Sequence, residues 1–200
     1  MNAEQIGALL PAGSLFAGKL TVLERTDSTN TRLRLLAEGG APEGTAVIAA
    51  EQTAGRGTHG RSFASAEGGL YLSVLLRPNA PLADLLTLTG RVGAAARRAV
   101  EAASGAPAEV KWLNDLWLGG RKLCGILCEL GPLRGGWADY VVAGIGINAG
   151  QSRDSFAALG LGDIATSLAA EGWPVTREAL CAAVLTELEK LIRAFPAGMA

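Results

Sequence analysis

The 200-residue chain contains one histidine, His59. A three-histidine zinc site and a Cys2His2 finger are therefore excluded, and any Ser-His-Asp or Cys-His catalytic set would have to use His59. Cysteine is scarce as well. Cys124, Cys128 and Cys181 form an odd set, which argues against a secreted disulfide framework. Cys124 and Cys128 fall on one strand face with no other metal ligands in support, so they read as small core residues. The N-terminus lacks a basic leader, and the longest apolar stretches, such as 140–147, fall far short of the roughly 20 residues that span a bilayer. A soluble, cytoplasmic protein with no membrane partner is expected. Charge is sparse and balanced, 18 Lys plus Arg against 19 Asp plus Glu for a net of −1. No basic face for DNA or RNA is expected from such a balance.

Apolar residues make up 49% of the chain, enough for a core, and the length suits one domain. Glycine is abundant, 27 residues, against an average usage near 7%. The segment 3–10 suits a short helix and 19–24 a strand. Asp27-Ser28-Thr29-Asn30 then offers helix-capping residues ahead of Leu33, Leu36 and Ala37 at helical spacing, with Gly39-Gly40 as a stop. Strands are expected at 45–51 and 70–77. A long amphipathic helix is expected over 82–104, placing Leu85, Leu88, Val92, Ala95, Ala96 and Ala99 on one face. Four strands follow at 109–112, 116–118, 122–130 and 137–148, separated by turns too short for anything but antiparallel pairing in the last three. Thr176 caps a final helix carrying Leu180, Val184, Leu188, Leu191 and Phe195 on one face. The fold class is α+β, a mainly antiparallel mixed sheet covered by helices.

The glycines fall in a loop between the second and third strands, in the hairpin turns and at 144–146. Gly55 to Gly60 satisfy the dinucleotide pattern G-x-G-x-x-G, and Gly55 to Ser62 satisfy a phosphate-loop pattern with Arg61 in place of lysine. Both patterns need a helix to open at the loop, because the helix N-terminus holds the phosphate. Here a strand comes next. What remains is two guanidiniums, Arg56 and Arg61, on a backbone without side chains at Gly55, Gly57 and Gly60, able to approach an anion closely. A surface loop with solvated arginines is the competing reading. Two further candidates are Lys111-Trp112-Leu113-Asn114-Asp115 at a strand end, where a lysine could hold a carboxylate or phosphate, and Gly144-Ile145-Gly146-Ile147-Asn148. Glycines there would either let a flat ligand lie on the backbone or mark a bulge.

Taken in order, the blocks DSTN (27–30), EQTAGRGTHGRSFASAEGGLYLSVLLRP (51–78), KWLNDLWLGGRKLCGILCE (111–129) and GIGIN (144–148) resemble the biotin protein ligase family. The resemblance covers most of the chain. It implies the biotin/lipoate ligase catalytic-domain fold, related to class II aminoacyl-tRNA synthetases, over 1–200. It also implies an ATP-dependent ligase: biotin and MgATP give biotinyl-5'-adenylate, from which biotin passes to a lysine of a biotin carboxyl carrier domain of acetyl-CoA carboxylase or a related carboxylase. By the same resemblance Ser28, Thr29, Asn30 and Gln52 contact biotin, and Arg56, Gly57 and Thr58 belong to the loop that closes over it. Lys111 and Arg56 carry the catalytic charge. Arg61, Phe63, Asn114, Lys122 and Asn148 serve ATP and the adenylate. Magnesium is held mainly by phosphates and water, with no protein ligand assigned. Homodimers formed through a sheet edge also belong to the family pattern.

Departures are equally specific. Thr58 stands where the family's loop carries a second arginine, Phe63 where it carries tryptophan, Leu113 where it carries proline and Gly150 where it carries asparagine. Losing the arginine is expected to weaken retention of the adenylate. An N-terminal DNA-binding domain and the C-terminal β-barrel are expected to be absent. The alternatives are a lipoate or octanoate transferase of the same superfamily and a non-catalytic biotin-binding module.

Overall fold

The computed structural model describes residues 1–78 and 80–194, with the backbone alone at His59. Helix α1 (Ala3–Ala8) is capped by Asn2, whose side chain accepts from the backbone N–H of Gln5. Strand β1 (Leu20–Thr26), helix α2 (Thr29–Glu38) and strand β2 (Ala46–Gln52) follow. The intervening helix allows β1 and β2 to pair in parallel. Strand β3 (Leu70–Leu76) returns antiparallel to β2.

The helix expected over 82–104 is two, α3 (Leu82–Leu85) and α4 (Leu88–Ser104). The backbone N–H of Leu82 donates to Gly136 O at 3.0 Å and Pro81 bridges to Trp137, so the first turn is tethered to a segment distant in sequence. Gly105, at φ 76°, closes α4 by donating to Glu101 O.

Strands β4 (Glu109–Lys111), β5 (Asp115–Leu118) and β6 (Arg121–Leu130) form the expected antiparallel run. The expected strand at 137–148 is divided. Its first two residues, β8 (Trp137–Ala138), pair with β7 (Leu133–Arg134), which lies inside the presumed turn, and only β9 (Val141–Ile147) enters the main sheet. Helices α5 (Arg153–Ala158) and α6 (Arg177–Arg193) are the last α-helices among the described residues. Thr176 caps α6 as expected, accepting from Ala179 N; Phe195 lies outside the described residues.

The main sheet runs β1-β2-β3-β9-β6-β5-β4, antiparallel except for β1 and β2. Strand alternation divides its two faces. Leu70, Leu72, Val74 and Leu76 of β3, Ala143 and Ile145 of β9 and Cys124 and Ile126 of β6 join one core with Val92, Ala96 and Ala99 of α4 and Leu180, Val184 and Leu188 of α6. Burying each leucine there contributes about 1.5–3 kcal/mol. On the other face, α2 lays Leu33 and Ala37 over Val47, Leu75 and Val142. That helix covers only part of the face. Beyond it the strands present Ser73, Gly144, Gly146, Gly125 and Leu127 instead, and the candidate site residues gather on this remainder. Among the described residues no helix is long and apolar enough to cross a membrane.

Candidate functional site

Two connected cavities lie on the uncovered face. The smaller is lined by Ser28, Thr29, Asn30, Gln52, Arg56, Phe63, Gly125, Leu127, Gly144, Ile145 and Gly146, and is closed down to about 30 Å³. Its polar wall is built by the start of α2. Ser28 is the N-cap residue but makes no side-chain capping bond, so its hydroxyl is available to the cavity. Gln52 Oε1 accepts from both the backbone N–H and the hydroxyl of Thr29, at 2.8 and 3.1 Å, while Gln52 Nε2 donates to Ser65 Oγ. Asn30 Nδ2 donates to Glu129 at 2.8 Å and to Leu127 O, and its Oδ1 lies 2.6 Å from the hydroxyl of Ser73. Thr29 and Asn30 are buried and hydrogen-bonded, so their positions are fixed.

The floor is glycine. A Cβ on Gly144 would run into the Asn30 carboxamide, and one on Gly146 or Gly125 would sit 2.7 or 2.9 Å from the Phe63 ring. Gly125 and Gly146 are register partners on adjacent strands, so the ring rests on a bare patch two strands wide. The strand pairing of β9 is regular throughout, so these glycines mark close approach rather than a bulge.

The loop 53–69 folds into an irregular hairpin. Phe63 N donates to Gly55 O, Gly57 N donates to Arg61 O, and a single 3-10 turn at Thr58–Gly60 forms the tip. No helix opens here, which removes the basis of both phosphate-binding patterns.

The larger cavity, a cleft of about 420 Å³, shares Arg56, Phe63 and Gly125 with the smaller one. That volume suits a drug-sized or nucleotide-sized ligand. Arg56, Arg61, Lys111 and Lys122 line it against one carboxylate, Asp115. Lys122 Nζ pairs with Asp115 at 2.7 Å, and Lys111 Nζ lies 3.5 Å from the centre of the Trp117 ring. Asn114 Nδ2 reaches Thr58 Oγ1 at 3.4 Å, and Arg61 donates to the same hydroxyl. Asn148, just beyond β9, donates to Thr166 O at 2.9 Å and so fixes the segment after α5.

All thirteen residues singled out in the sequence line one cavity or the other. Sequence reasoning missed the cleft's apolar wall, Phe156, Leu161 and Ile164. Those residues carry no motif; their one signal was an apolar cluster following GIGIN. The thiols face elsewhere: burial pushes Cys128 up to about 11 and Cys181 up to about 12, in keeping with core roles.

A closed polar pocket opening into a cation-lined cleft, both on one sheet face, is the candidate site of this α+β domain. Comparison with known proteins specifies it. Residues 22–148 match the model of the biotin/lipoate A/B protein ligase family, and the chain belongs to that family. It is 40% identical over 168 residues to the bifunctional ligase/repressor BirA of Bacillus spizizenii, covering 83% of this chain and 51% of that protein. It is 37% identical over 150 residues to the biotin–acetyl-CoA-carboxylase ligase of Mycobacterium tuberculosis, covering 72% of this chain and 54% of that one. The chain thus spans about half the length of the curated relatives it matches. Among solved structures, the biotin protein ligase of Aquifex aeolicus in complex with biotin and ATP superposes with a TM-score of 0.74 at 33% identity, covering 89% of this chain and 72% of that one. The Leishmania major ligase in complex with biotinyl-5-AMP gives 0.66 at 30%, covering 89% and 76%.

Proposed function

We propose that this chain is the catalytic domain of a biotin protein ligase. The observation that carries the reading is the wall shared by the two cavities. A compact acid held by Ser28, Thr29, Asn30 and Gln52 extends its carboxylate past Arg56 and Phe63 into the cleft, where a nucleotide phosphate meets it. Biotin fits the first cavity by chemistry, since its ureido ring presents both donors and acceptors to that polar wall. Arg56 and Phe63 must shift to admit it, because the cavity as it stands holds roughly one water.

In the first step a carboxylate oxygen of biotin attacks the α-phosphorus of ATP, the bond to pyrophosphate breaks, and pyrophosphate leaves with the electron pair. Lys111 and Arg56 hold the two anions together and neutralise charge as the new bond forms. Arg61, Lys122 and Asn114 attend the phosphates. Asn148 contacts adenine, whose faces lie against Phe63 and the apolar wall of Phe156, Leu161 and Ile164. In the second step a neutral lysine amine of a carboxylase carrier domain attacks the acyl carbon. AMP departs with the bonding pair, and the amine's proton passes to solvent. Asp115, the cleft's one carboxylate, is engaged by Lys122, a donor set that suits magnesium bound chiefly through ATP and water.

The test is biotin-dependent exchange of labelled pyrophosphate into ATP, followed by transfer to a carrier domain. Exchange with biotin and transfer support the ligase. Exchange with lipoate alone would favour the transferase alternative, and tight biotin binding without exchange would favour a binding module. The Aquifex and Leishmania structures, which contain biotin or its adenylate, weigh toward biotin.

A further inference from the structure

We propose that Trp117 positions Lys111 for adenylation, holding its ammonium by the face of the indole in place of a carboxylate. This deepens the ligase reading and rests on the role given there to Lys111. Lys111 ends β4 and Trp117 lies on β5; the register pairs Lys111 with Asp115 and Glu109 with Trp117, so Lys111 and Trp117 are diagonal neighbours on one sheet face. Lys111 Nζ lies 3.5 Å from the ring centre, well inside the roughly 6 Å range of cation–π attraction. Among the described residues Lys111 makes no ion pair. The nearest carboxylate by register, Asp115, is taken by Lys122 at 2.7 Å.

Two lysines therefore line the cleft with one carboxylate between them, and the fold gives that carboxylate to the other lysine. The division has a chemical purpose. A carboxylate beside Lys111 would fix the ammonium but cancel its charge and compete with the anions it must bind. An aromatic face attracts a cation while leaving the charge uncompensated and the N–H donors free. The indole is itself held in place: a bulge between Leu116 and Trp117 sets it opposite Lys122. Its Nε1 is buried without a partner among the described residues, so the ring acts through its face rather than its N–H.

Site-specific replacement of Trp117 by mono-, di- and tetrafluorotryptophan tests the proposal, because fluorine withdraws density from the ring face with little change in shape. The kcat for biotin-dependent pyrophosphate exchange is expected to fall stepwise, by about tenfold across the series, with Trp117→Phe retaining more activity than Trp117→Leu. A kcat unchanged across the series, in a protein whose exchange Lys111→Ala abolishes, would overturn the proposal and leave the ligase reading intact. So would a series in which only the KM for ATP moves, since that assigns the ring to the nucleotide. Absence of exchange in the unmodified protein would overturn both readings.

Discussion

Arg56 and Glu129 form an ion pair at 2.7 Å between the glycine-rich loop and the end of β6, and the same carboxylate accepts from Asn30 at 2.8 Å. One carboxylate thus ties the loop to the polar wall of the smaller cavity. A ligand whose own carboxylate meets Arg56 competes with Glu129 for its guanidinium.

Glu129→Gln is therefore expected to speed biotin association about three- to tenfold, because the neutral amide holds Arg56 less strongly yet still accepts from Asn30. Stopped-flow fluorescence reads the rate directly. Slower association would show that the pair instead prepares the cavity for its ligand.

Gly144→Ala is expected to cost about 1–3 kcal/mol of stability, the usual cost of overpacking, since the new methyl meets the Asn30 carboxamide. Displacing that carboxamide also weakens its bond with Ser73 and lowers biotin affinity. Denaturant unfolding and calorimetry check the two effects. A variant of normal stability and affinity would mean that the strand has more slack than its regular register implies.

Thr58→Arg is expected to slow the escape of biotinyl-5'-adenylate about tenfold, since a guanidinium adds charge-assisted bonds to the phosphate. Thr58 already sits where such a group is needed, in contact with Asn114 and Arg61 at the cleft. Trapping released adenylate over time measures the escape. Equal rates with threonine and arginine would remove this explanation of the departure from the family pattern.

Glu171 ties the cleft's apolar wall to the start of β6, accepting from Thr166 Oγ1 at 2.6 Å and from Arg121. The Thr166 hydroxyl, followed by the charges of Arg121 and Arg153, holds its carboxyl below the usual carboxylate range. Because the folded value is depressed, its stabilisation is full above the ordinary carboxylate pKa and is lost as pH falls through the lower folded value. Glu171→Gln should thus melt about 2–6 °C lower at neutral pH, with the gap closing in acid, and should raise the KM for ATP. Thermal melts across pH check the first part; a gap independent of pH would disprove the ionic account.

Strand and helix order could be read from the sequence because periodicity and capping are local. The α+β class followed from turns between the C-terminal strands too short to hold a helix. The site residues were legible because DSTN, the glycine loop, KWLND and GIGIN each end or interrupt an element, and all four point to one sheet face. The break at Leu86 was not legible, and the bond from Leu82 to Gly136 beside it spans more than fifty residues. Nor was the division of 137–148, which depends on β7 pairing within an apparent turn. The wall of Phe156, Leu161 and Ile164 became visible only when Asn148 and Glu171 were seen to draw that segment to the sheet. Trp117 looked like an ordinary strand residue until its diagonal neighbour was known.

The cleft gathers four of the chain's 18 basic side chains around one of its 19 acidic ones. A molecule that is nearly neutral overall therefore carries a local positive excess at the cleft, balanced by an acidic excess in the rest of the chain. Dissolved salt acts on that separation. Raising ionic strength from about 0.01 to 1 M shortens the reach of charge from about 30 to 3 Å, so on the ligase reading a polyanionic nucleotide is drawn from a distance only in dilute electrolyte. On that reading, the ionic medium acts most on capture of the polyanionic nucleotide and less on the compact acid, which carries a single charge and is held largely by hydrogen bonds.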